Sequence, residues 1–201
     1  MSHYFDTPEG PVREREFDET IWGRTHRFVT SNGVFSFDGL DLGTSVLLRS
    51  IDAPPAGTRV LDLGCGWGPI TVALADAGVH VTAVDVNERA LELCRRNAER
   101  AGVGERVQVV TPDAVDPEAR FDELWSNPPI RIGKAALHEL LLTWLPRLAP
   151  EGTAYLVVSK NLGADSLQKW LISQGYSCER RASAKGFRVL VVSWATDSPG
   201  A

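Results

Sequence analysis

The chain has 201 residues, of which 43% are hydrophobic and 23% charged, and its formal net charge is −5 at pH 7. This length suits one well-buried domain, and the composition is that of a globular chain rather than a disordered or fibrous one. No apolar run approaches the roughly 20 residues that span a bilayer, and the acidic balance argues against indiscriminate nucleic-acid binding without excluding a local basic patch. Residues 1–16 lack the apolar segment of a signal peptide, so we expect a cytoplasmic protein without a membrane partner.

The first part of the chain predicts an extension ahead of the main fold. Residues 17–30 alternate apolar and polar side chains around a Trp-Gly-Arg turn, which is typical of a β-hairpin. A helix is predicted next, beginning at Asp41 or Thr44. We therefore predict a single domain in which a hairpin and helix extension, residues 1–58, packs on a core formed by residues 59–201.

The predicted core alternates β-rich and helical runs, which is typical of a parallel sheet built from βαβ units. Five strands are predicted, at residues 59–63, 79–84, 106–110, 121–125 and 153–159, with the clearest helices at residues 87–101, 134–145 and 165–174. Two further β-rich runs, 176–181 and 187–194, predict a closing hairpin. Its link is too short for a crossover helix, so the last strand must run antiparallel to its neighbours. The expected fold is therefore α/β, with a doubly wound, seven-stranded, mostly parallel sheet.

A glycine-rich loop, Gly64-Cys65-Gly66-Trp67-Gly68, lies between the first core strand and a helix that Pro69 suits as a first residue. Glycines allow a backbone to approach a ligand closely. The next strand ends at Asp85, about 20 residues beyond the loop, where an acid can accept both hydroxyl hydrogens of a ribose. The sequence therefore predicts a nucleoside-binding edge.

Two cofactor classes use such an edge. A dinucleotide fingerprint needs a glycine three residues after Gly66, where this chain has Pro69, and the catalytic His or Tyr constellation of a nicotinamide dehydrogenase is missing. The pattern is instead G-x-G-x-G preceded by Asp62. It resembles motif I of the class I S-adenosylmethionine-dependent methyltransferases. The resemblance implies a Rossmann-like fold and S-adenosyl-L-methionine as the cofactor.

The same resemblance implies roles along this edge. Asp62 would order the loop and reach the methionine amino group through water, Asp85 would hold the ribose, and Asp113 would meet the adenine amino group. The implied cofactor-binding residues are Asp62, Gly64, Cys65, Gly66, Asp85, Val86, Asp113, Ala114 and Asn127. From the residues alone, two alternatives stay open: Asp62 as a carboxylate that only orders the loop, and Asp113 as a solvated turn residue.

The stretch Ser126-Asn127-Pro128-Pro129-Ile130 follows the fourth core strand. Taken alone it predicts a turn, because Pro fixes φ and lacks an N–H. It also resembles the (Asn/Asp)-Pro-Pro-(aromatic) motif of methyltransferases that modify planar or exocyclic nitrogens. The resemblance implies Asn127, Pro128 and Pro129 as catalytic residues, the Asn127 side-chain oxygen and the Pro128 carbonyl each accepting one N–H bond of the substrate amine.

The departure from that motif is Ile130, which stands where the motif has an aromatic ring able to stack on a flipped base. The candidates to replace the ring are Phe35, Trp67 and Trp22. Each of them could equally be an ordinary residue of the hydrophobic core.

Motifs along nearly the whole chain resemble the catalytic half of the ribosomal RNA small-subunit guanine-N2 methyltransferase C family, the "methyltransferase small" domain. They are His3-Tyr4-Phe5, the N-terminal hairpin, Gly33-Val34-Phe35-Ser36, Asp41-Leu42-Gly43-Thr44, SNPPIRIGK and residues 159–164. The resemblance implies methylation of a guanine exocyclic amine in RNA, and residues 33–36 as part of a lid. We expect a single-domain member, without the degenerate copy of the fold that precedes the catalytic half in the fuller bacterial enzymes.

The implied substrate-binding residues are Phe35, Ile130, Arg131, Lys134 and Lys160. The three basic side chains would contact phosphates. The alternative for each of them is an ordinary solvated side chain on the surface. Protein glutamine N-methylation and a cofactor- or RNA-binding module with impaired catalysis stay open as other functions.

We expect a monomer or weak dimer. We also expect no metal and no disulfide framework, because the cysteines form no CxxC pair and the histidines stand apart from other ligands.

Overall fold

The computed structural model describes residues 13–129 and 132–195. The strands are β1 (Glu14–Ile21), β2 (Arg24–Ser31), β3 (Arg59–Leu63), β4 (His80–Val84), β5 (Val107–Val110), β6 (Phe121–Ser126), β7 (Leu148–Ser159), β8 (Tyr176–Ala184) and β9 (Phe187–Trp194). The helices are α1 (Leu42–Ser50), α2 (Pro69–Asp76), α3 (Glu88–Arg100), α4 (Lys134–Trp144) and α5 (Ala164–Ser173). The predicted Ile130 and Arg131 contacts and the His3-Tyr4-Phe5 motif lie outside the described residues.

The predicted elements are present, and β7 differs most from its prediction. It begins at Leu148, not at residue 153, because Leu148 already pairs with Phe121 at the start of β6. A shift in register then follows between Phe121 and Glu123, and regular pairing resumes at Thr153. The Pro150-Glu151-Gly152 segment, which reads locally as a turn, is thus part of the strand.

The main sheet has seven strands in the order β5-β4-β3-β6-β7-β9-β8. The strands from β5 to β7 are parallel, and β9 is antiparallel to β7 and β8, which confirms the predicted class of fold. The chain moves outward from β3 to β4 and β5, then returns to β6 on the other side of β3. Ligands of doubly wound sheets bind at such a switch point, outside the carboxyl ends of the strands.

Apolar side chains cover both faces of the sheet, as expected of parallel strands. One face packs against the hairpin, α1, α2 and α3 through residues such as Val60 and Trp125. The other packs against α4 and α5 through residues such as Leu61 and Leu124. The first cluster contains side chains from both the predicted extension and the predicted core, and the division of the chain at residue 58 stays a prediction.

The β1–β2 hairpin is joined to the glycine loop through the buried side chain of Asn97 in α3. Its oxygen accepts from Val29 N at 2.8 Å, and its nitrogen donates to Val29 O at 2.9 Å and to Trp67 O at 2.7 Å. The rings of Phe17 and Phe28 pack on Trp67, with centroids 5.3 and 5.0 Å away. The hairpin therefore supports the loop from behind.

Two helix starts near the switch point are set by side-chain caps. Asn87 accepts from Arg89 N and Ala90 N, which confirms it as the N-cap of α3. Asp41 is the N-cap of α1, accepting from Gly43 N at 2.7 Å and Thr44 N at 3.1 Å. Of the two predicted starts of α1, Asp41 is therefore the one observed.

Among the described residues, no helix combines the length and apolarity needed to cross a membrane. Within 13–129 and 132–195, no group of three or more His, Cys, Asp or Glu side chains forms a candidate metal site.

Candidate active site

The glycine loop bends over the end of β4. Gly64 N and Cys65 N both donate to Val84 O, at 2.8 and 3.0 Å. Gly64 and Gly66 have φ values of 79° and 56°, and a Cβ atom on either would meet no atom within 4 Å. The left-handed backbone explains why glycine stands at both positions. The open space beside them leaves room for a ligand to approach the backbone.

Gly68 has a different role. Its φ is 89°, and a Cβ atom there would lie 2.8 Å from the Cys94 sulfur and 3.2 Å from the Cys94 Cα. The start of α2 therefore packs directly against the middle of α3, so the third glycine of the motif allows helix packing.

We expect Gly68→Ala to lower the free energy of unfolding by about 2–4 kcal/mol, because backbone strain and overpacking add together. Gly102→Ala is the matched control: Gly102 also has a positive φ, 70°, but a Cβ atom there meets nothing within 4 Å. Its expected loss is about 1–2 kcal/mol. Urea denaturation measures both, and equal losses would show that the contact with Cys94 contributes nothing.

Cys65 is buried, and so is its neighbour Cys94. The neighbouring Cys94 thiol, together with burial, raises the pKa of Cys65 well above its ordinary value. The side chain is thus a neutral, enclosed thiol. Any cofactor contact by Cys65, as predicted, must come from its backbone.

Asp85 links the end of β4 to the loop. Its Oδ2 accepts from Gly66 N and its Oδ1 from Asn87 N, both at 2.9 Å. Burial raises the pKa of this carboxyl, although backbone hydrogen bonds from Asn87, Gly66 and Val86 act in the opposite direction. A carboxylate oxygen can accept more than one hydrogen bond, so each retains capacity for a hydroxyl. The predicted ribose contact fits this geometry, and the next residue, Val86, is 53% exposed at the same edge.

Asp62 is fully buried at the end of β3. Its Oδ2 accepts from the Thr71 hydroxyl at 2.6 Å, whereas its Oδ1 is buried without a hydrogen-bond partner among the described residues. Burial raises the pKa of Asp62 to about 7. The bond to Thr71 fits a loop-ordering role. An unpaired buried acceptor costs free energy, which a water molecule at Asp62 Oδ1 would recover. The unpaired oxygen therefore fits the predicted water-mediated contact with the methionine amino group.

The shift at Asp62 predicts an unusual pH dependence of stability. Its pKa rises from 3.8 to about 7 on folding. Between these values the unfolded chain has released the proton and the folded chain keeps it, so the free energy of unfolding falls as pH rises and levels off above the upper value. The slope from this group is up to about 1.4 kcal/mol per pH unit. Asp62→Asn should remove this pH dependence of the free energy of unfolding while keeping an acceptor for Thr71.

Urea denaturation of the cofactor-free protein at several pH values from about 5 to 8 tests this expectation. Parallel stability curves for the wild type and Asp62→Asn would contradict it.

Asp113 and Ala114 lie in the short 3-10 turn that follows β5, at the same edge of the sheet. Both side chains are exposed. A hydrogen bond from the Thr111 hydroxyl lowers the pKa of the Asp113 carboxyl, which is therefore ionised. An exposed carboxylate suits both the adenine contact and the solvated turn, and the adenine contact stays a prediction.

Asn127 lies next to the loop because β6 pairs directly with β3. Ser126 Oγ donates to Leu63 O at 2.7 Å, which joins the two strand ends. The Asn127 side-chain nitrogen donates to Asp41 Oδ2 at 2.8 Å and to Thr44 Oγ1 at 3.0 Å. Its side-chain oxygen has no hydrogen-bond partner among the described residues, so the acceptor predicted for a substrate amine is available.

This link to Asp41 and Thr44 was missed by sequence reasoning, which assigned Asp41 only a helix start. The two segments are separated by 86 residues along the chain. The one available signal was the Asp41-Leu42-Gly43-Thr44 motif, whose polar residues had no assigned function.

The segment after β2 lies against the loop. Trp67 Nε1 donates to Ser36 O at 3.2 Å, and Asn87 Nδ2 donates to Gly33 O at 2.9 Å. Phe35, between them, is 47% exposed. Residues 33–36 thus lie beside the predicted cofactor site, and their lid role stays a prediction.

Of the aromatic residues considered as replacements for a ring at Ile130, Trp67 is part of the core and Trp22 is partly buried against it. Trp67 is only 2% exposed. The indole N–H of Trp22 donates to Leu48 O at 2.8 Å, and its ring packs against Trp125. Trp67 is not free to stack on a base, so that interpretation of Trp67 is wrong, whereas for the partly buried Trp22 and the exposed Phe35 it stays a prediction.

The described basic candidates lie after strand ends at this edge. Lys134 begins α4, and Lys160 begins the turn that follows β7; both are exposed. Lys160 N donates to Gly186 O at 2.8 Å, which brings the β8–β9 turn and its exposed Lys185 to the same edge.

The fold and site define a class of protein. Four features together are those of a class I S-adenosylmethionine-dependent methyltransferase: a glycine loop at the switch point, acids at the ends of β3 and β4, an Asn-Pro-Pro turn after β6 and an antiparallel β9. Within that class, the chain belongs to the methyltransferase small domain family, whose model matches residues 25–191.

Among its curated relatives, the chain is 33% identical over 171 residues to the uncharacterised YbxB of Bacillus subtilis (strain 168), covering 82% of this chain and 84% of YbxB. It is 34% identical over 168 residues to ribosomal RNA small subunit methyltransferase C of Pseudomonas entomophila (strain L48), covering 80% of this chain and 49% of that protein. It is 40% identical over 121 residues to the release factor glutamine methyltransferase of Chlorobaculum tepidum, covering 54% and 40%.

Among solved structures, the chain resembles the 16S rRNA N2-guanine methyltransferase RsmC of T. thermophilus, in complex with AdoMet and guanosine. The TM-score is 0.80 at 26% identity, over 93% of this chain and 52% of that one. The chain thus spans about half the length of these ribosomal RNA methyltransferases.

Proposed function

We propose that this methyltransferase acts on the exocyclic N2 amine of a guanine in RNA, with small-subunit ribosomal RNA as the substrate. The observation that carries the proposal is the Asn127 side chain, whose two N–H bonds are occupied by Asp41 and Thr44 and whose oxygen has no partner within residues 13–129 and 132–195. A substrate amine presents N–H donors, and a fixed acceptor at the end of β6 is the complementary group. The likeness to RsmC, with AdoMet and guanosine bound, supports the choice of cofactor and base.

The chemistry follows from the poor nucleophilicity of an exocyclic nitrogen, whose lone pair is delocalised into the ring. Bound S-adenosylmethionine supplies an electrophilic methyl group on a sulfonium. Acceptors at Asn127 Oδ1 and the Pro128 carbonyl favour the pyramidal nitrogen of the transition state and direct its lone pair toward that methyl group. The Pro129 carbonyl accepts from Ile132 N at 3.1 Å, which closes the turn and helps to hold both acceptors in place.

Asn127 cannot remove the substrate proton, because an amide is no base near neutral pH. The proton therefore leaves after methyl transfer, to water. Asn127 acts by orienting the nitrogen and by accepting hydrogen bonds that strengthen in the transition state.

Recognition of RNA is assigned to a local basic patch, which we define as Lys134, Lys160 and Lys185. All three are exposed at the carboxyl edge of the sheet. By contrast, Arg15, Arg24 and Arg27 each form an ion pair with an aspartate. Lysines contact phosphates without reading sequence, so this patch supports binding of the nucleic-acid backbone in a chain of negative net charge.

A second candidate function is methylation of a glutamine side chain in a protein. The similarity to a release factor glutamine methyltransferase favours it. A carboxamide nitrogen is also planar and has two N–H bonds, so the same acceptors suit it. An RNA- or cofactor-binding module with impaired catalysis is the third alternative.

Methyl transfer from labelled S-adenosylmethionine to three substrates separates these functions: naked small-subunit ribosomal RNA, assembled small subunits, and a purified release factor. We expect label in RNA, released on digestion as N2-methylguanosine. Label only in the release factor would contradict the proposal and favour the glutamine function. Tight cofactor binding without label in any substrate would favour the binding module.

A further inference from the structure

The hydrogen bonds around Asn127 fix which way its side chain faces. The amide nitrogen has two protons, one directed to Asp41 Oδ2 and the other to Thr44 Oγ1. Asp41 Oδ2 also accepts from two backbone N–H groups, those of Gly43 and Thr44, so this oxygen is the acceptor of the contact with the amide. The nitrogen, and not the oxygen, must therefore face Asp41.

The group that holds the amide is itself held by α1. The same Asp41 Oδ2 accepts from Gly43 N at 2.7 Å and Thr44 N at 3.1 Å. A Cβ atom on Gly43 would lie 2.9 Å from that oxygen and 2.9 Å from Cε1 of Phe187 in β9. Glycine thus allows the carboxylate to fold over the first turn and the helix to approach the sheet. The amide is connected through this turn to a packed helix.

We propose that Asp41 and Thr44 are positioning residues, which hold the side-chain amide of Asn127 so that its oxygen is presented to the substrate amine. The inference rests on the proposed function for the identity of that amine. If the amide turned by half a rotation, its N–H donors would face the N–H donors of the substrate, and its oxygen would face the Asp41 carboxylate. Terminal amide torsions are broad and roughly two-fold, so an unrestrained amide samples both orientations.

Asp41→Ser separates positioning from helix capping. Serine is as good an N-cap as aspartate, but its side chain is one atom shorter and does not reach Asn127. Asp41→Asn keeps an oxygen acceptor of the same reach. Thr44→Val removes the second acceptor and keeps the shape of this buried side chain.

The matched control is Asp116→Ser. Asp116 Oδ1 accepts from Glu118 N at 2.9 Å in an exposed turn, a bond of the same kind in a part of the chain without an assigned function. This variant should match the wild type in every readout.

Single-turnover methyl transfer and cofactor affinity are the first two readouts. For Asp41→Ser we expect the transfer rate to fall about 10- to 100-fold, as for a misplaced reacting group, with the dissociation constant of S-adenosylmethionine changed less than about two-fold. Thr44→Val should show a smaller loss of the same kind, and Asp41→Asn should recover most of the lost rate. In an Asn127→Ala background, Asp41→Ser should cause no further loss, because both changes act through one side chain.

The third readout does not depend on any substrate. The side-chain amide protons of Asn127, identified in ¹⁵N–¹H spectra by their absence from Asn127→Ala, should exchange slowly with water in the wild type. In Asp41→Ser the proton that bonds to Asp41 should exchange about 10-fold faster or more, because its acceptor is gone. Asp116→Ser should leave the exchange unchanged.

Several outcomes would overturn the inference: unchanged amide exchange in Asp41→Ser, an unchanged transfer rate, or an equal further loss in the Asn127→Ala background. Failure of the proposed function looks different. If the wild type methylates the release factor and not RNA, the transfer rates of all variants are measured on the release factor instead. Those rates and the amide exchange then test the inference in the same way. If the wild type methylates neither, the amide exchange alone decides it.

Discussion

Replacing Asn127 with alanine is expected to lower the single-turnover rate of methyl transfer by about 100- to 1000-fold, the loss typical of removing one oriented hydrogen-bonding group that acts in the transition state. The affinity for S-adenosylmethionine should stay nearly intact even though Asn127 is among the implied cofactor-binding residues, because its side-chain bonds go to Asp41 and Thr44 and not to the loop or to Asp85. Rapid quench with labelled cofactor measures the rate, and calorimetry measures the affinity.

Gln174→Ala is a suitable control for the Asn127 variant. Gln174 follows α5 and precedes β8, and its side chain bonds only to its neighbour Ser173 among the described residues. Removing an amide there should change neither quantity. If Asn127→Ala lost rate and cofactor affinity equally, Asn127 would be a structural residue, and the proposed chemistry would be wrong.

Asp85→Ala should show the opposite pattern, with cofactor affinity falling first, by about 10- to 100-fold. The change removes the predicted ribose acceptor and leaves Gly66 N–H and Asn87 N–H without their partner. Hydrogen bonds to charged groups contribute about 1.5–3 kcal/mol each, and about 1.4 kcal/mol corresponds to ten-fold in affinity. Calorimetry with S-adenosylmethionine gives the dissociation constant, and NAD serves as the control ligand.

Asp85→Asn distinguishes the two contributions at this position. The amide keeps one acceptor for the loop but replaces the other with a donor, so it should retain the melting temperature better than the alanine variant while still binding the cofactor weakly. Unchanged affinity in Asp85→Ala would show that Asp85 only orders the loop.

The strands and helices were predictable because their signals are local. The cap at Asn87 and the glycines of the loop lie within a few residues of the structure they determine, and the short link before β9 dictates its direction. The start of β7 was not predictable, because Pro150 and Gly152 indicate a turn locally, and only pairing with β6 makes the segment a strand.

The candidate site was predictable in its acids and its Asn-Pro-Pro turn, but not in what supports them. The contact between Asp41 and Asn127 joins segments that are distant in sequence, so neither local pattern contains it. Trp67 shows the opposite kind of error. An aromatic side chain in a glycine loop was a candidate to stack on a ligand, and only the packing of Phe17 and Phe28 against it shows that it belongs to the core.

The most direct test of the proposed function uses RNA from a strain that lacks the gene. The purified protein is incubated with labelled S-adenosylmethionine and this RNA, and the labelled nucleotide is mapped by nuclease digestion and mass spectrometry. We predict label at N2 of guanine at one position in small-subunit ribosomal RNA, and labelling that is about 100-fold slower or more with Asn127→Ala. Label at another atom, or RNA that stays unlabelled while a protein is methylated, would contradict the proposal.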